Sequence, residues 1–390
     1  MLKKYKSLGL KSKIISPIFI IIILGIALIL SLILNNFHST ATNLSEEVMY
    51  EMGEHYGYYI RGNINEKLSI VKSLKSVMEQ AGKDEIMNRD ELIDFLQNVL
   101  EENDSLYGIF TCWEPNAFDG LDSQYIGTSL HDETGRFIPY ITRDGNRSLQ
   151  RYEEEGYGDF YLVPKRTGKV SITEPYMCEV TGGKTLYMTS VMEPLFIDGN
   201  FVGVIGADIL LDPIADLLKK VKLYNNGYVY LVSAEGQVIS HPNSDLIGKS
   251  IYDYGSKESI DIGKSALKKG ETKQFTSTSL STNENIITNI VPLEIGSTGI
   301  NWGIGVSVPE AEISKPITDG IFLGVSTGLI VCAIAIVLLF IVIGAVIKRI
   351  HNMSERLSQS SSYVSSASIQ LAATSQDLAD GSNEQAASIE

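Results

Sequence analysis

The sequence comprises 390 residues with 32 basic and 47 acidic side chains, which give a formal net charge of −15 at pH 7. This length is sufficient for two or three domains, each with its own apolar core. The acidic balance argues against nucleic acid as a partner, because proteins that hold phosphates do so with clustered lysine and arginine.

Two long uncharged apolar segments predict membrane-spanning helices. They are residues 14–34 and residues 321–347, with 21 and 27 residues respectively. About 20 apolar residues suffice to cross the ~30 Å hydrocarbon core of a bilayer as a helix. A cleaved signal peptide is the alternative for the first segment, although its apolar run is long and a clear cleavage site is lacking.

Basic residues flank both segments on the side that is expected to be cytoplasmic. They are Lys3, Lys4, Lys6, Lys11 and Lys13 before the first segment, and Lys348, Arg349 and Arg356 after the second. Because positively charged flanks stay inside the cell, residues 1–13 and 348–390 are predicted to be cytoplasmic and the region between the spans to be extracellular. That region carries 24 basic and 42 acidic residues, a net charge of −18, which mildly favours a cationic ligand.

Residues 35–80 are predicted to form a long helix that continues from the first span. Apolar residues recur along it every three or four positions, at Leu44, Val48, Met52, Ile60, Ile64, Leu68, Val71, Leu74 and Met78. At 1.5 Å per residue, about 40 residues extend for about 60 Å. The pattern therefore indicates a spine on which the extracellular region is assembled, and not a pocket.

After this helix the pattern changes to short β-type segments separated by turn signals. We predict two successive α/β modules, a membrane-distal module at residues 81–218 and a membrane-proximal module at residues 219–316. One motif occurs in both: residues 191–209 read VMEPLFIDGNFVGVIGADI and residues 290–308 read IVPLEIGSTGINWGIGVSV.

The two copies of this motif differ in charge. When two extra loop residues are allowed, Asp208 of the first copy aligns with Val308 of the second. We therefore expect the distal module to hold a ligand and the proximal module to pack and to transmit the signal.

Residues 348–390 are predicted to begin a cytoplasmic coiled coil. Leu357, Val364, Leu371 and Leu378 are spaced by seven residues, the period of a helix that supercoils with partner helices. The serine-rich stretch from Ser358 to Ser368 leaves a disordered tail as the alternative.

The order of these elements resembles that of a bacterial methyl-accepting chemotaxis receptor with a double Cache sensor outside the cell. The resemblance rests on the segments WEPNAFDG, GRFIPY, ITEPY, GNFVGVIGADI and GYVYLVSAEGQVISHP, which lie within residues 105–309. It implies two PAS-like α+β modules on a long N-terminal helix, flanked by two transmembrane helices and followed by a cytoplasmic coiled coil. It also implies a homodimer that acts on a chemotaxis histidine kinase and a coupling protein through a signalling tip.

The tail also resembles the start of the receptor signalling helix. In the family, glutamate and glutamine residues of this helix are methylated, and the candidates here are Glu384, Gln385 and Glu390. The sequence departs from the family because the heptads begin almost directly after the second span, so that a complete HAMP linker does not fit.

Enzymatic activity is not expected, and no cofactor or metal is predicted. The five histidines are not paired at the spacing of metal ligands. The Gly-x-Ser-x-Gly match GVSTG at residues 324–328 lies inside the second apolar segment and not at a strand-to-helix turn, and the complete phosphate-binding motif G-x-x-x-x-G-K-S/T is absent from the sequence. Three cysteines do not make a disulfide framework; Cys112 and Cys178 could pair, but two free thiols are favoured.

A ligand site is predicted in the distal module, where aromatic and polar residues cluster. The candidate residues are Trp113, Tyr125, Tyr140, Arg143, Phe160, Tyr161, Tyr176, Tyr187 and Asp208. Aromatic rings provide contact area and attract cations, and a few charges orient a small polar ligand. Each tyrosine could instead be a core residue, Asp208 could cap the helix that follows it, and Arg143 could be a surface turn residue facing Asp144.

The resemblance extends to the amino-acid-binding members of the family. Tyr161, Tyr176 and Asp208 match their motif, whereas Gly158 stands in place of the carboxylate-binding arginine, Phe160 replaces a tryptophan and Cys178 replaces an aspartate. An ordinary α-amino acid is therefore not the expected ligand. An amine held by Asp208, or an organic acid or purine-like compound held by Arg143, fits the sequence better.

Two other functions remain open on the sequence alone. The same sensor could regulate a histidine kinase or a cyclic-dinucleotide enzyme. Alternatively, the extracellular region could bind a partner protein as a membrane adhesion or scaffold protein, in which case small ligands would not bind.

Overall fold

The structure is a computed structural model that describes residues 10–84 and 86–387. Lys3, Lys4, Lys6 and Glu390 therefore lie outside the described residues. The chain divides into two compact units, one formed by Thr40–Pro316 and the other by Met1–Ser39 together with Ile317–Glu390.

The helices and strands follow one another in an α+β order. The helices are α1 (Leu10–Asp84), α2 (Arg89–Glu102), α3 (Asp159–Thr167), α4 (Asp212–Lys219), α5 (Lys257–Lys269) and α6 (Glu310–Ala387). The strands of the distal module are β1 (Gly108–Trp113), β2 (Pro139–Thr142), β3 (Arg147–Ser148), β4 (Ser171–Ile172), β5 (Tyr176–Glu179), β6 (Thr185–Ile197) and β7 (Asn200–Leu210). Those of the proximal module are β8 (Tyr228–Val232), β9 (Val238–Ser240), β10 (Lys273–Thr278), β11 (Asn285–Glu294) and β12 (Asn301–Pro309).

Each module of the larger unit is built on an antiparallel sheet. Within the described residues, the distal sheet has seven strands in the order β3-β2-β1-β7-β6-β4, with β5 also paired to β6. The proximal sheet has five strands in the order β10-β11-β12-β8-β9. The antiparallel sheets and the long N-terminal helix confirm the α+β architecture that the sequence predicts.

The apolar stripe of α1 forms the common core of both modules. Ile60, Ile64, Val71 and Met78 are fully buried, and they belong to one apolar cluster that also contains residues of both sheets. Glycines let this helix approach the sheets closely. For example, a Cβ atom at Gly82 would come within 2.9 Å of the Trp113 ring. Burial of a long side chain stabilises the folded state by roughly 1.5–3 kcal/mol, so this stripe is a main source of stability.

The predicted stripe is wrong at its membrane-side end. Leu44 and Val48 are 57% and 36% exposed, whereas Met49 is fully buried and Ser45 nearly so. The Ser45 hydroxyl lies 3.0 Å from the Tyr224 hydroxyl. The buried face of α1 has therefore rotated by about one residue at this end.

Both helices of the smaller unit contain long apolar segments. Within the described residues, Pro17–Asp84 and Glu310–Asn383 each include an 18-residue window of mean hydropathy above 3 that is almost unburied. By length and composition these segments are sufficient to cross a bilayer. The heptad residues Leu357, Leu371 and Leu378 are also exposed on α6.

A buried ion cluster fixes the start of α2 to the loop that follows β1. The Arg89 guanidinium donates to the carboxylates of Asp119 and Asp122, both at 2.6 Å, and to the Gly135 carbonyl at 2.9 Å. The Arg89 side chain is completely buried, and its guanidinium lies 4.2 Å from the centre of the Tyr125 ring. A fully hydrogen-bonded buried cation of this kind fixes the loop in one arrangement.

Replacing Arg89 by methionine is expected to lower the free energy of unfolding by about 3–5 kcal/mol, because two carboxylates then lack their cation in the protein interior. Urea unfolding of the full chain in detergent, followed by the fluorescence of the buried Trp113 and Trp302, measures the change. In the control Arg151→Met, an exposed pair with Glu154 is lost, and the free energy of unfolding should hardly change because solvent screens exposed pairs. Equal small losses in both variants would contradict the role of the cluster.

Candidate functional site

The sheet register shows which residues of the two modules correspond. Ser190 of β6 is opposite Asp208 of β7, and Thr288 of β11 is opposite Ser307 of β12. The counterpart of Asp208 is therefore Ser307, and the predicted alignment with Val308 is wrong by one residue. Side chains alternate between the two faces of a strand, and Val308 belongs to the apolar core shared with α1.

An aromatic ring covers a central-strand glycine in each module. Phe110 of β1 is opposite Gly206, and Tyr230 of β8 is opposite Gly305. A Cβ atom at Gly206 would come within 2.3 Å of the Phe110 ring, and one at Gly305 within 2.0 Å of the Tyr230 ring. The face that carries Asp208 in the distal module is thus the face that carries Ser307 in the proximal module.

Asp208 is the centre of the candidate distal site, and three hydroxyl groups surround it. Ser190 donates to Asp208 Oδ1 at 2.6 Å and the Tyr176 hydroxyl donates to the same oxygen at 3.1 Å. The Tyr140 hydroxyl donates to Oδ2. The donors come from β2, β5 and β6, so the sheet assembles the site from residues distant in sequence.

The carboxylate of Asp208 is buried without a cation. The side chain is 2% exposed, and none of the ion pairs found among the described residues includes it. Burial raises the pKa of Asp208 above its usual value of 3.8, although the three hydroxyl donors act in the opposite direction. Burial and the nearby carboxylate raise the pKa of Tyr140 and Tyr176, so both phenols remain protonated donors.

Arg147 is a basic residue whose charge acts on Asp208 and lowers its pKa, against the effect of burial. It is opposite Tyr140 in the β2–β3 pair, and its guanidinium lies 5.0 Å from the centre of the Tyr140 ring. Arg147 also approaches Asp144 at 3.4 Å, and about a third of its side chain is exposed. Tyr140, Arg147 and Tyr176 are each only partly buried, and we call these three residues the rim of the Asp208 group.

The structure brings Tyr140, Tyr176 and Asp208 together and places the other candidates elsewhere. Trp113 and Tyr187 lie on the opposite face of the sheet, within the core shared with α1. The Trp113 ring packs on Phe118 at a centroid distance of 5.0 Å. The Tyr187 hydroxyl donates to the Val238 carbonyl of the proximal module at 3.0 Å.

The remaining four candidates occupy four separate positions. Arg143 donates to the carbonyls of Leu100, Asn103 and Leu106 at 2.8–2.9 Å, so it caps the end of α2. Tyr125 stacks on His131 at 4.8 Å beside the Arg89 cluster. Phe160 packs edge-on against Phe110 at a ring-centroid distance of 5.2 Å, and Phe110 in turn packs edge-on against Tyr140. Tyr161 accepts from Arg136 at 2.7 Å and donates to Glu114 in a separate charged group.

Two residues of the Asp208 group were not predicted from the sequence. Ser190 is an ordinary strand residue until its partner strand is known. Arg147 could have been found from the Asp144-Gly145 turn, because a hairpin at this turn places Arg147 opposite Tyr140.

The cysteines and the acidic residues offer no further chemistry at this site. Cys112, Cys178 and Cys332 are free thiols, and burial raises the pKa of Cys112 to about 12. In residues 10–84 and 86–387, no group of three or more His, Cys, Asp or Glu side chains is arranged to hold a metal ion.

Comparison with known proteins relates the larger unit, Thr40–Pro316, to sensor domains. A family model described as Cache domain matches residues 37–317. Methyl-accepting chemotaxis protein TlpQ of Pseudomonas aeruginosa is 26% identical over 249 residues, which cover 58% of this chain and 34% of that protein. PctB of the same organism is 23% identical over 304 residues, or 78% of this chain and 41% of that protein. The chain thus spans less than half of the length of these relatives.

Solved structures give the same relationship. The extracellular domain of a protein described as a histidine kinase, mmHK1S-Z2, is 30% identical with a TM-score of 0.61 and covers 69% of this chain and 99% of that domain. Methyl-accepting chemotaxis protein X is 26% identical with a TM-score of 0.56, covering 68% of this chain and 99% of its own. The sensory domain of the Campylobacter jejuni chemoreceptor Tlp1, at 18% identity and a TM-score of 0.55 over 71% of this chain and 99% of that domain, shares the fold.

Replacing Asp208 by asparagine is expected to raise the unfolding temperature at neutral pH in the absence of ligand. A folded-state pKa above the unfolded value of 3.8 means that Asp208 contributes stability below pH 3.8, which is lost as the pH rises through the raised pKa. Asparagine does not titrate, so the variant avoids this loss while keeping a similar shape.

Thermal unfolding of the full chain, followed by circular dichroism at a series of pH values, measures the effect. The exposed Asp261 on α5 provides the control substitution Asp261→Asn, which should leave the unfolding temperature unchanged. A lower unfolding temperature for Asp208→Asn at neutral pH would mean that the ionised carboxylate stabilises the ligand-free fold, contrary to expectation.

Proposed function

The chain belongs to the Cache domain family, and we propose that it is the sensory part of a chemoreceptor whose distal module binds a small amine-bearing molecule at Asp208. The observation that carries this proposal is a carboxylate with 2% exposure that lacks a cationic partner among the described residues. Burying an ionised carboxylate is unfavourable unless a cation pairs with it. A ligand ammonium group would supply that cation.

The residues around Asp208 support a cationic ligand. The Tyr140 and Tyr176 rings are half-buried, so their faces can contact a ligand while their hydroxyl groups hold the carboxylate. Aromatic faces attract an ammonium group through their quadrupole, by about 0.5–2 kcal/mol per contact. Cys178, on the same strand as Tyr176, gives the rim an uncharged edge.

Arg147 widens the class of ligand to amines that also carry a carboxylate. Its guanidinium lies at the rim beside Tyr140, where it can pair with an anionic group of a ligand whose ammonium reaches Asp208. This arrangement supports an amino-acid-like ligand even though Gly158 stands at the position of the family's arginine. An organic acid or a purine-like compound would use Arg147 alone and leave Asp208 unpaired.

The remainder of the proposed function concerns signal transmission. We propose that the chain is a homodimer in the cell membrane with two spans, an extracellular sensor and cytoplasmic termini. The exposed heptad residues of α6 would pair in a coiled coil that leads to a coupling protein and a chemotaxis histidine kinase. Glu384, Gln385 and Glu390 are the proposed methylation positions.

A second candidate is a sensor that regulates a histidine kinase directly. It is favoured by the 30% identity to the mmHK1S-Z2 extracellular domain, which exceeds the 26% identity to the TlpQ chemotaxis protein. The two candidates share the ligand site and differ in the output domain. Ligand-dependent transfer of phosphate to a histidine of the chain itself would identify this second candidate.

Asp208→Asn is expected to abolish amine binding by the full chain in lipid nanodiscs. Truncating one partner of a buried charge pair costs about 2–5 kcal/mol, which corresponds to a loss of affinity of more than tenfold. Calorimetric titration with primary amines and with the corresponding uncharged alcohols measures the loss and the charge preference. Asp261→Asn is the matched control and should bind amines as the native chain does.

Arg147→Gln is expected to weaken the binding of only those amines that also carry a carboxylate. The calorimetric titration is repeated with a matched amine and amino acid, and the ratio of their affinities should change while amine binding is retained. Amine affinity that is unchanged in Asp208→Asn would refute the proposed site. If acids or purines bind and their binding depends on Arg147 alone, an anion site at Arg147 would replace the proposed amine site. If no compound of the panel binds, a protein partner would be favoured.

A further inference from the structure

A large cavity lies in the proximal module, away from the Asp208 group. Its volume is about 790 Å³, and it lies between the proximal sheet and helix α5. Tyr228, Tyr230 and His241 line its sheet side, and Ser259 and Gly263 line its helix side. Cavities of about 300–1,000 Å³ are typical of small-molecule sites.

The lining of this cavity combines aliphatic, aromatic and hydroxyl-bearing side chains and is without formal charge. Among the described residues that form it there is no Asp, Glu, Lys or Arg, whereas serine, threonine and tyrosine hydroxyl groups are numerous. A buried charge requires a partner of opposite sign. A charged ligand would therefore bind here only at a large desolvation cost.

The comparison of the two modules independently indicates that this cavity is suited to an uncharged ligand. Ser307 occupies the sheet position that Asp208 occupies in the distal module, and Thr288 occupies that of Ser190. The hydroxyl groups of Thr288 and Ser307 lie 2.8 Å apart. Where the distal module has a carboxylate, the proximal module has a neutral hydroxyl pair in the cavity wall.

His241 presents a neutral donor to this cavity. Its Nδ1 accepts the Asn243 backbone amide at 3.0 Å, and burial lowers the pKa of His241 to about 4, so that the ring is neutral at pH 7 and carries its proton on Nε2. The Tyr228 and Tyr230 rings lie 5.2 and 5.8 Å from the His241 ring. The Tyr230 hydroxyl has no hydrogen-bond partner among the described residues, so it is available to a ligand.

We propose that this cavity is a second ligand site, for an uncharged planar ring compound with hydrogen-bonding groups at its edge. The tyrosine and histidine rings provide stacking faces, and the hydroxyl groups and the His241 N–H pair with the polar edge. The site does not depend on Asp208, so this inference stands apart from the proposed amine site.

Matched ring pairs test the charge preference of the site. The full chain in lipid nanodiscs is titrated calorimetrically with nicotinamide against nicotinate and with uracil against orotate. The two members of each pair share a ring, and only one of them carries a carboxylate. The neutral member is expected to bind at least tenfold more tightly, and Asp208→Asn should not change its affinity.

Gly263→Leu tests the location of the site. Gly263 lines the cavity, a Cβ atom there has no other atom within 4 Å, and leucine is a better helix former than glycine. This variant should remain folded and lose neutral-ring binding by more than tenfold. Gly62 is also a helical glycine with open space around its Cβ position but lies outside the cavity, so Gly62→Leu should bind as the native chain does.

Ser307→Asp tests the role of the neutral wall. Placing a carboxylate at the position that corresponds to Asp208 should weaken the binding of nicotinamide. It should strengthen the binding of 3-(aminomethyl)pyridine, the cationic analogue of nicotinamide. Equal affinity for nicotinamide and nicotinate would overturn the inference, as would neutral-ring binding that survives Gly263→Leu. Absence of saturable binding by every neutral ring, with the native chain folded, would also overturn it.

Discussion

The contact between the apolar stripe of α1 and one face of each sheet is the interaction on which the rest of the larger unit depends. Ile60, Ile64, Val71 and Met78 are completely buried in a cluster that includes both sheets. Because strand side chains alternate, this contact commits every second residue of β1, β6, β7, β8 and β12 to packing. Only the remaining residues can form a binding surface, and they face away from the helix.

The two sheet faces that point away from α1 keep the same framework and differ in charge. A ring covers a glycine in both modules, and a hydroxyl residue of the neighbouring strand faces the central position in both. That central residue is Asp208 in the distal module and Ser307 in the proximal module. One substitution in a repeated framework therefore distinguishes the proposed cation site from the proposed site for an uncharged molecule.

The sequence predicts the fold well and the site only in part. The helical period from Ile60 to Met78 determines the buried face of α1 because burial of apolar side chains enforces it, and tyrosines such as Tyr140 and Tyr176 are recognisable as a group. Composition does not say which face of a strand a ring occupies, so Trp113 is grouped with Tyr140 although the sheet separates them. Pairing between distant strands has no local signal, which is why Ser190 was missed and Val308 was taken for the counterpart of Asp208.

The shared helix has a consequence for how such sensors diversify. The apolar stripe of α1 contributes to the cores of both sheets. If recombination exchanged a single module, the new sheet would therefore have to pack against the α1 residues that are already present. The two modules are thus expected to fold as one cooperative unit. New specificities would then arise by point substitution on the two outward faces, where a change of charge leaves the common core intact.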